Sequence, residues 1–314
     1  MMAVKSNLCF STFVFGTYQK YIPYYIYSIA RTYPEAYVKI IVDGFISPHI
    51  TQVLEILKKQ QINRFEIVEI ADNGYEEYKD YNIRGGGKKL LRWLFSYSFF
   101  KDFDYVYFGD VDILILPEKT PLIDFHISQS NQFGLPFSNK VRTDDENRPT
   151  NRLTGLHFID VKNYYKKVQP IIENITTDID YRKTYFSGIQ RDENLLYKIN
   201  KEAFAFDETK LTQAVRPWHG LHLGITRGNK DIDIKTIEGN SSISLDEIKK
   251  HLSSYQNDPI FNKIQSKVFV IELYEILKQL KMSNRTDWKW NVIRNKCFSR
   301  INSFKKKIKR LVHV

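Results

Sequence analysis

The chain has 314 residues, 42% hydrophobic and 14% aromatic, with a formal net charge of +11. That length can bury a substantial core, the composition is globular rather than disordered, and no apolar run reaches the roughly 18 residues of a transmembrane span. Residues 285–314 carry ten Lys/Arg and one Asp, so +9 of the excess lies there and the body is near neutral, which argues against a nucleic-acid-binding body.

In chain order, residues 8–15 (LCFSTFVF) predict a buried strand ended by Gly16. Residues 21–33 predict a helix with Pro23 in its first turn, where a missing N–H is harmless. Residues 37–42 predict a second strand. Ser47 before Pro48 marks a helix start, and Ile50, Val53, Leu54 and Leu57 give that helix an apolar face. Residues 65–70 predict a third strand, residues 88–100 a helix and residues 105–108 a strand. Such alternation implies an α/β fold with a parallel sheet flanked by helices.

Beyond Leu116 the alternation weakens. Residues 138–152 hold seven charged residues and read as a polar loop, as do residues 224–258. Between them lie a predicted strand (155–161) and two helices (163–175 and 192–200), the second with acids in its first turn. Residues 261–280 predict one long amphipathic helix. The whole reads as a catalytic domain over 1–255 and a helical C-terminal extension over 256–314. The first residues lack the order of a signal peptide. Cys9 and Cys297 sit near opposite ends with neither metal-type nor disulfide-type spacing, which suits a reducing, cytoplasmic setting.

The chemistry concentrates at Asp110 and Asp112, inside YVYFGDVDILIL. At the end of a strand, positions i and i+2 emerge on one face, and open α/β sheets bind ligands at the carboxyl ends of their strands. Paired carboxylates there suit a hard divalent cation, Mn²⁺ or Mg²⁺, that also holds a diphosphate. A solvated turn, the simpler reading, would not sit between two apolar runs. The stretch Arg84-Gly-Gly-Gly-Lys88-Lys89 lacks the Walker pattern. It reads as an approach to a helix N-terminus near a nucleotide, with Lys88 and Arg92 on one helical face as i and i+4.

The run from Lys88 through the aspartate pair resembles a block of retaining GT-A glycosyltransferases, most closely of family 8. Further blocks follow in the family's order. Tyr18 resembles the tyrosine near the nucleotide base. Thr154 and Gly155, opening TGLHFID, resemble the strand lining the donor-sugar pocket. Asp192-Glu193-Asn194 resembles a motif whose acid binds donor-sugar hydroxyls. His222-Leu-Gly224-Ile-Thr-Arg227 resembles the segment supplying a third metal ligand and a cation for the diphosphate. The resemblance departs from the family at Phe15, Thr154, Glu193 and Arg227, and the spacing around His222 is one residue short. It implies a GT-A fold, a metal ion and a nucleotide-sugar donor, UDP-linked. Asp192 is then expected on donor hydroxyls and Glu193 beneath the anomeric carbon. His219, three residues before His222, competes as the metal ligand, and Arg216 competes with Arg227 for phosphate.

The implied activity is transfer of a sugar, with retention, to a glycan acceptor that is lipid-linked, as in lipopolysaccharide, O-antigen or capsule. The tail over 285–314 interleaves Trp288, Trp290, Phe298 and Phe304 with cations and reads as an amphipathic segment lying on the anionic inner face of the cytoplasmic membrane. Two other classes compete. A nucleotidyltransferase would carry a Gly-rich loop after the first strand, where this chain has Phe-Gly-Thr-Tyr-Gln. A nucleic-acid-binding protein would spread its cations over the body.

Overall fold

The computed structural model describes residues 7–70, 76–84, 86–227, 231–232, 234–241 and 243–282. The basic tail therefore lies outside the described residues, as does Gly85 of the glycine run.

The alternating first third folds largely as its sequence implies. Strand β1 (Leu8–Val14), helix α1 (Ile22–Thr32), β2 (Tyr37–Asp43), α2 (Pro48–Lys59) and β3 (Phe65–Ile70) follow in order. The Ser47 side chain accepts a hydrogen bond from the Ile50 amide and so starts α2. A short helix α3 (Tyr97–Phe100) precedes β4 (Tyr105–Phe108) and β5 (Ile113–Ile115). Then come α4 (Leu122–Phe133), β6 (Phe137–Ser138), β7 (Val141–Thr143), β8 (Pro149–Leu153) and β9 (His157–Asp160). Helices α5 (Val161–Thr177), α6 (Ile179–Phe186), α7 (Asp192–Phe204) and α8 (Glu208–Thr212) lead to β10 (Gly220–His222). The described chain closes with α9 (Ile234–Asn240), α10 (Leu245–Gln256), α11 (Pro259–Lys267) and α12 (Ile271–Gln279).

The main sheet has the order β3-β2-β1-β4-β9-β6. Its first four strands are mutually parallel, whereas β9 runs antiparallel to β4 and β6 antiparallel to β9. Period-two alternation splits the core into two layers. Phe10, Val14, Ile40, Tyr107 and Phe158 face α1, α2 and α10–α12. Cys9, Ile41, Val106, Phe108 and Ile159 face α3 and α5–α8. Each fully buried aliphatic or aromatic side chain contributes roughly 1.5–3 kcal/mol relative to exposure.

Four local expectations are corrected. The helix over 88–100 is instead a 3-10 segment, Gly87–Trp93, followed by α3. The helix over 261–280 is broken by Val268 and Val270, both buried with extended dihedrals, and the Val268 carbonyl accepts from Tyr24 Oη at 2.6 Å. These β-branched residues favour extended backbone, and a core hydroxyl satisfies the freed carbonyl. The polar loop over 138–152 is largely the β7–β8 hairpin. Its turn is closed by the Asp144 carboxylate, which accepts from the Glu146 and Arg148 amides. Within 224–258, Ser244 and Glu247 form a reciprocal capping box that starts α10.

The described part of the C-terminal extension joins the same core as α1. Phe261, Ile264, Leu273 and Ile276 are buried with Tyr24 and Tyr27. Tyr27 Oη donates to Asp258 at 2.7 Å, and Lys20 pairs with Glu272 at 2.8 Å.

Candidate active site

The carboxyl ends of β1 and β4 lie side by side in the sheet, with Gly109 donating its amide to the Ser11 carbonyl. Beyond Gly109 the chain does not continue as strand. Residues 110–113 form a tight turn in which the Ile113 amide donates to the Asp110 carbonyl at 3.1 Å. Val111 is buried inside this turn. The aspartates thus converge through a turn rather than through strand periodicity, but they converge as expected.

The third ligand candidate arrives by strand pairing. Strand β10 lies antiparallel to β5, with His222 opposite Ile113, and the Leu223 amide donates to the Asp112 carbonyl at 2.8 Å. This register sets His222 Nε2 at 4.0 Å from Asp110 Oδ2 and 3.7 Å from Asp112 Oδ1. One ligand atom from each of the three residues lies within 4.8 Å of the others. His219, the competitor, is fully buried elsewhere. Its Nδ1 lies 2.5 Å from Glu118 Oε2, and its Nε2 lies 2.8 Å from His126 Nε2. Of the two histidines, His222 is therefore the one that lies beside the aspartate pair.

Cations flank the cluster. Arg92 donates to Asp110 Oδ1 at 3.1 Å and to the carbonyls of Gly109 and Gly155 at 2.9 and 2.6 Å. Arg227 pairs with Asp112 and stacks on the Tyr18 ring, 4.9 Å from its centroid. Burial by itself would raise the Asp110 pKa, but Arg92, His222 and Arg216 outweigh it and hold the carboxyl below its usual range. Asp112 is pushed up, by burial first and by the charge of Asp110 as well, against His222 and Arg227. Two carboxylates and an imidazole, one carboxylate destabilised by the other, form a donor set that fits a divalent cation such as Mn²⁺ or Mg²⁺.

The cluster forms the floor of a cavity of about 210 Å³. Phe13, Phe15 and Tyr18 give it an aromatic wall, and Lys89, Arg92 and Arg227 give it a cationic one. The Phe15 and Tyr18 rings lie 5.5 Å apart, and Lys89 Nζ sits 5.3 Å over Phe15. Asp192, in the first turn of α7, also lines the cavity. Its pKa is raised, by burial first and then by Glu193 and Asp110, against Arg92 and Lys89.

Three expected residues stand elsewhere. Lys88 does not share the face of Arg92, because a 3-10 segment has three residues per turn and aligns i with i+3. Lys89 takes that place, while Lys88 Nζ pairs with Asp43 at 2.8 Å. Thr154 does not line this cavity. Its hydroxyl donates to Asn139 Oδ1 at 2.6 Å, and it borders a second cavity described below. Glu193 faces neither cavity. Arg142 donates to its Oε1 from Nε and Nη2 at 2.9 and 2.6 Å, and Arg152 grips Oε2 through the same pair of nitrogens. Its side chain is 12% exposed. Gly155 contributes through its carbonyl to Arg92 alone. Sequence reasoning missed Lys89 because only the 3-10 geometry selects it. It also missed the arginine clamp, although the alternation in Val141-Arg142-Thr143 signalled a strand.

No family model matches the chain, and no curated protein matches it. Solved structures similar to it include the galactosyltransferase LgtC in complex with donor and acceptor sugar analogues, at 13% identity, covering 61% of this chain and 70% of that one with a TM-score of 0.44. Another is mouse xyloside xylosyltransferase 1, at 9% identity, 65% and 83% coverage and a TM-score of 0.39. A third is the glycosyltransferase GlyE of Streptococcus pneumoniae, at 13% identity, 84% and 64% coverage and a TM-score of 0.43.

Proposed function

We propose that this chain is a metal-dependent glycosyltransferase that moves a sugar from a nucleotide sugar, UDP-linked, to a glycan acceptor. The observation that carries the reading is the convergence of Asp110, Asp112 and His222 with three cations and an aromatic wall in one cavity. Asp110, Asp112 and His222 would hold Mn²⁺ or Mg²⁺, which when bound supplies Lewis-acid charge for a diphosphate leaving group.

The chain's own residues have separable roles. Tyr18 and Phe15 offer ring faces to a base. Arg227 and Lys89 offer charge where the departing diphosphate becomes more negative, so they bind the transition state more tightly than the ground state. Arg92 holds Asp110 and the Gly155 carbonyl in place and so positions the metal ligand. Asp192, the carboxylate outside the triad that faces the cavity, holds donor-sugar hydroxyls. Glu193, expected beneath the anomeric carbon, has both oxygens engaged by arginines, so we assign it to positioning α7 against the β7–β8 hairpin. Retention of anomeric configuration remains part of the proposal on the strength of the resemblance.

Among the described residues no helix is long and apolar enough to cross a membrane. The proposal includes a lipid-linked acceptor reached through the basic tail over 285–314, which holds the protein on the inner face of the cytoplasmic membrane. A screen of nucleotide sugars for metal-dependent hydrolysis tests the central reading. Release of the nucleoside diphosphate in Mn²⁺ and none in chelator is expected. Release of the nucleoside monophosphate would indicate a nucleotidyltransferase, and full activity in chelator would overturn the metal assignment.

A further inference from the structure

A second cavity, of about 460 Å³, is bordered by Thr154. Lys140, Arg142 and Arg216 line it, and no carboxylate does among the described residues. Arg142 spends two of its donors on Glu193. The Lys140 ammonium and the Arg216 guanidinium have no ion-pair partner among the described residues, and Arg216 Nε is buried without any hydrogen-bond partner. The Arg216 side chain is half-buried, and an enclosed Nε–H left unpaired is costly. Burial drives the Arg216 pKa down, with Asp110 opposing and Arg142 adding to the fall. Such a group gains most from an anion that brings acceptor oxygens in a plane.

The remaining wall suits a sugar. Phe125, Val215 and Pro217 provide apolar surface, and Val215 is 59% exposed. Thr143, Gln213, Asn240 and Ser241 add hydrogen-bonding groups beside that apolar surface, and a sugar presents both hydroxyls and an apolar ring face to such a mixed wall. The cavity also adjoins the metal cluster. Arg216 lies within electrostatic reach of Asp110, and Thr154 on its wall precedes Gly155, whose carbonyl Arg92 holds. The diphosphate of a donor has its own cations in the first cavity, so the second set has a different occupant.

We propose that this second cavity binds an acidic sugar of the acceptor, one bearing a phosphate or a carboxylate, with Arg216 and Lys140 as the anion-binding residues. The assignment of this sugar to the acceptor rests on the transferase reading above. The binding itself does not, so the test is made without donor or metal. Glucose 6-phosphate, glucuronate and glucose are titrated by calorimetry into the full chain in EDTA. One of the anions is expected to bind at least about 10-fold more tightly than glucose, as charge-assisted hydrogen bonds require, and the comparison of the two identifies phosphate or carboxylate. Arg216→Gln and Lys140→Gln are each expected to weaken that anion about 5-fold or more. Lys140→Gln removes an unpartnered ammonium, so it stays informative should Arg216→Gln fail to fold. Equal binding of glucose and both anions, or unchanged anion affinity in Lys140→Gln, overturns the proposal. Metal-dependent hydrolysis of nucleotide sugars by the wild-type chain is measured separately, so the transferase reading and the anion site can each fail alone.

Discussion

Gly224 lies directly under the His222 ring. A Cβ there would meet His222 Cε1, stand 2.8 Å from Nδ1 and reach Asp112 Oδ2 at 3.0 Å. The glycine is what lets the imidazole lean toward both aspartates. Gly224→Ala must displace the ring or the carboxylate, while the fold around the short 3-10 turn that holds it, Leu223–Thr226, is kept. Metal affinity is expected to fall by about 10-fold or more. Mn²⁺ titration followed by calorimetry checks this, and wild-type affinity in the alanine variant would remove His222 from the ligand set.

Asp110→Asn and Asp112→Asn should each lower metal-dependent hydrolysis of a nucleotide sugar by about 100-fold or more. Asp110 sits at the cavity floor rather than in the core, so Asp110→Asn should also keep its melting temperature within a few degrees. Asp112 is buried against Arg227, and its substitution should cost more stability. A double Asn variant with a wild-type rate in Mn²⁺ would sink the assignment.

Asp192 and Glu193 are adjacent in sequence but should separate in assay. Asp192→Asn is expected to raise the donor KM or lower kcat/KM by about 10-fold with little change in stability. Glu193→Gln leaves two arginine forks without a counter-charge and should destabilise by about 1–3 kcal/mol. Donor kinetics and thermal unfolding on both variants decide. A stable Glu193→Gln with a large fall in kcat alone would return Glu193 to the reaction centre.

Acid should destabilise the fold through its buried histidines. His157 is fully enclosed, with Nδ1 2.9 Å from Asn139 Nδ2 and Nε2 unpartnered, and burial lowers its pKa to about 3. Burial drives His126 down in the same way, with His219 and His157 adding to it. An unfolded histidine titrates near 6.5, so between these values the unfolded chain takes up a proton that the native chain refuses. Stability then falls as pH drops below about 6.5, approaching about 1.4 kcal/mol per pH unit per histidine. Thermal unfolding between pH 7 and 5 should show the loss, and His157→Gln should shrink it. An identical pH profile in the variant would refute the assignment.

The tail makes a prediction independent of the site. Removal of residues 285–314 takes away a net charge of +9. The full chain should co-sediment with vesicles containing phosphatidylglycerol, far less with neutral ones, and be released by high salt. The truncated chain should lose this binding and keep nearly unchanged hydrolysis of a nucleotide sugar. Equal sedimentation of both chains would show that the tail is not the membrane-binding element.

The sequence alone carried what local periodicity and composition encode. It determined the strands at Leu8–Val14, Phe65–Ile70 and Tyr105–Phe108 and the helix start at Ser47, and it singled out the aspartate pair that the proposed function takes as its chemical centre. These follow from side-chain alternation, a cap and an apolar frame within a few residues. Tertiary structure decided everything that depends on contacts across tens of residues. His222 and His219 are equivalent as isolated histidines, and only the β10–β5 register brings one to Asp110 and Asp112 while His219 bonds Glu118. Lys88 and Lys89 are neighbours of the same type, and the 3-10 winding alone selects Lys89. Glu193 is an acid beside Asp192 in the chain, and only the hairpin brings Arg142 and Arg152 to it from 51 and 41 residues away. Pairings at that separation are set by how strands and helices pack, and no spacing in the chain records them.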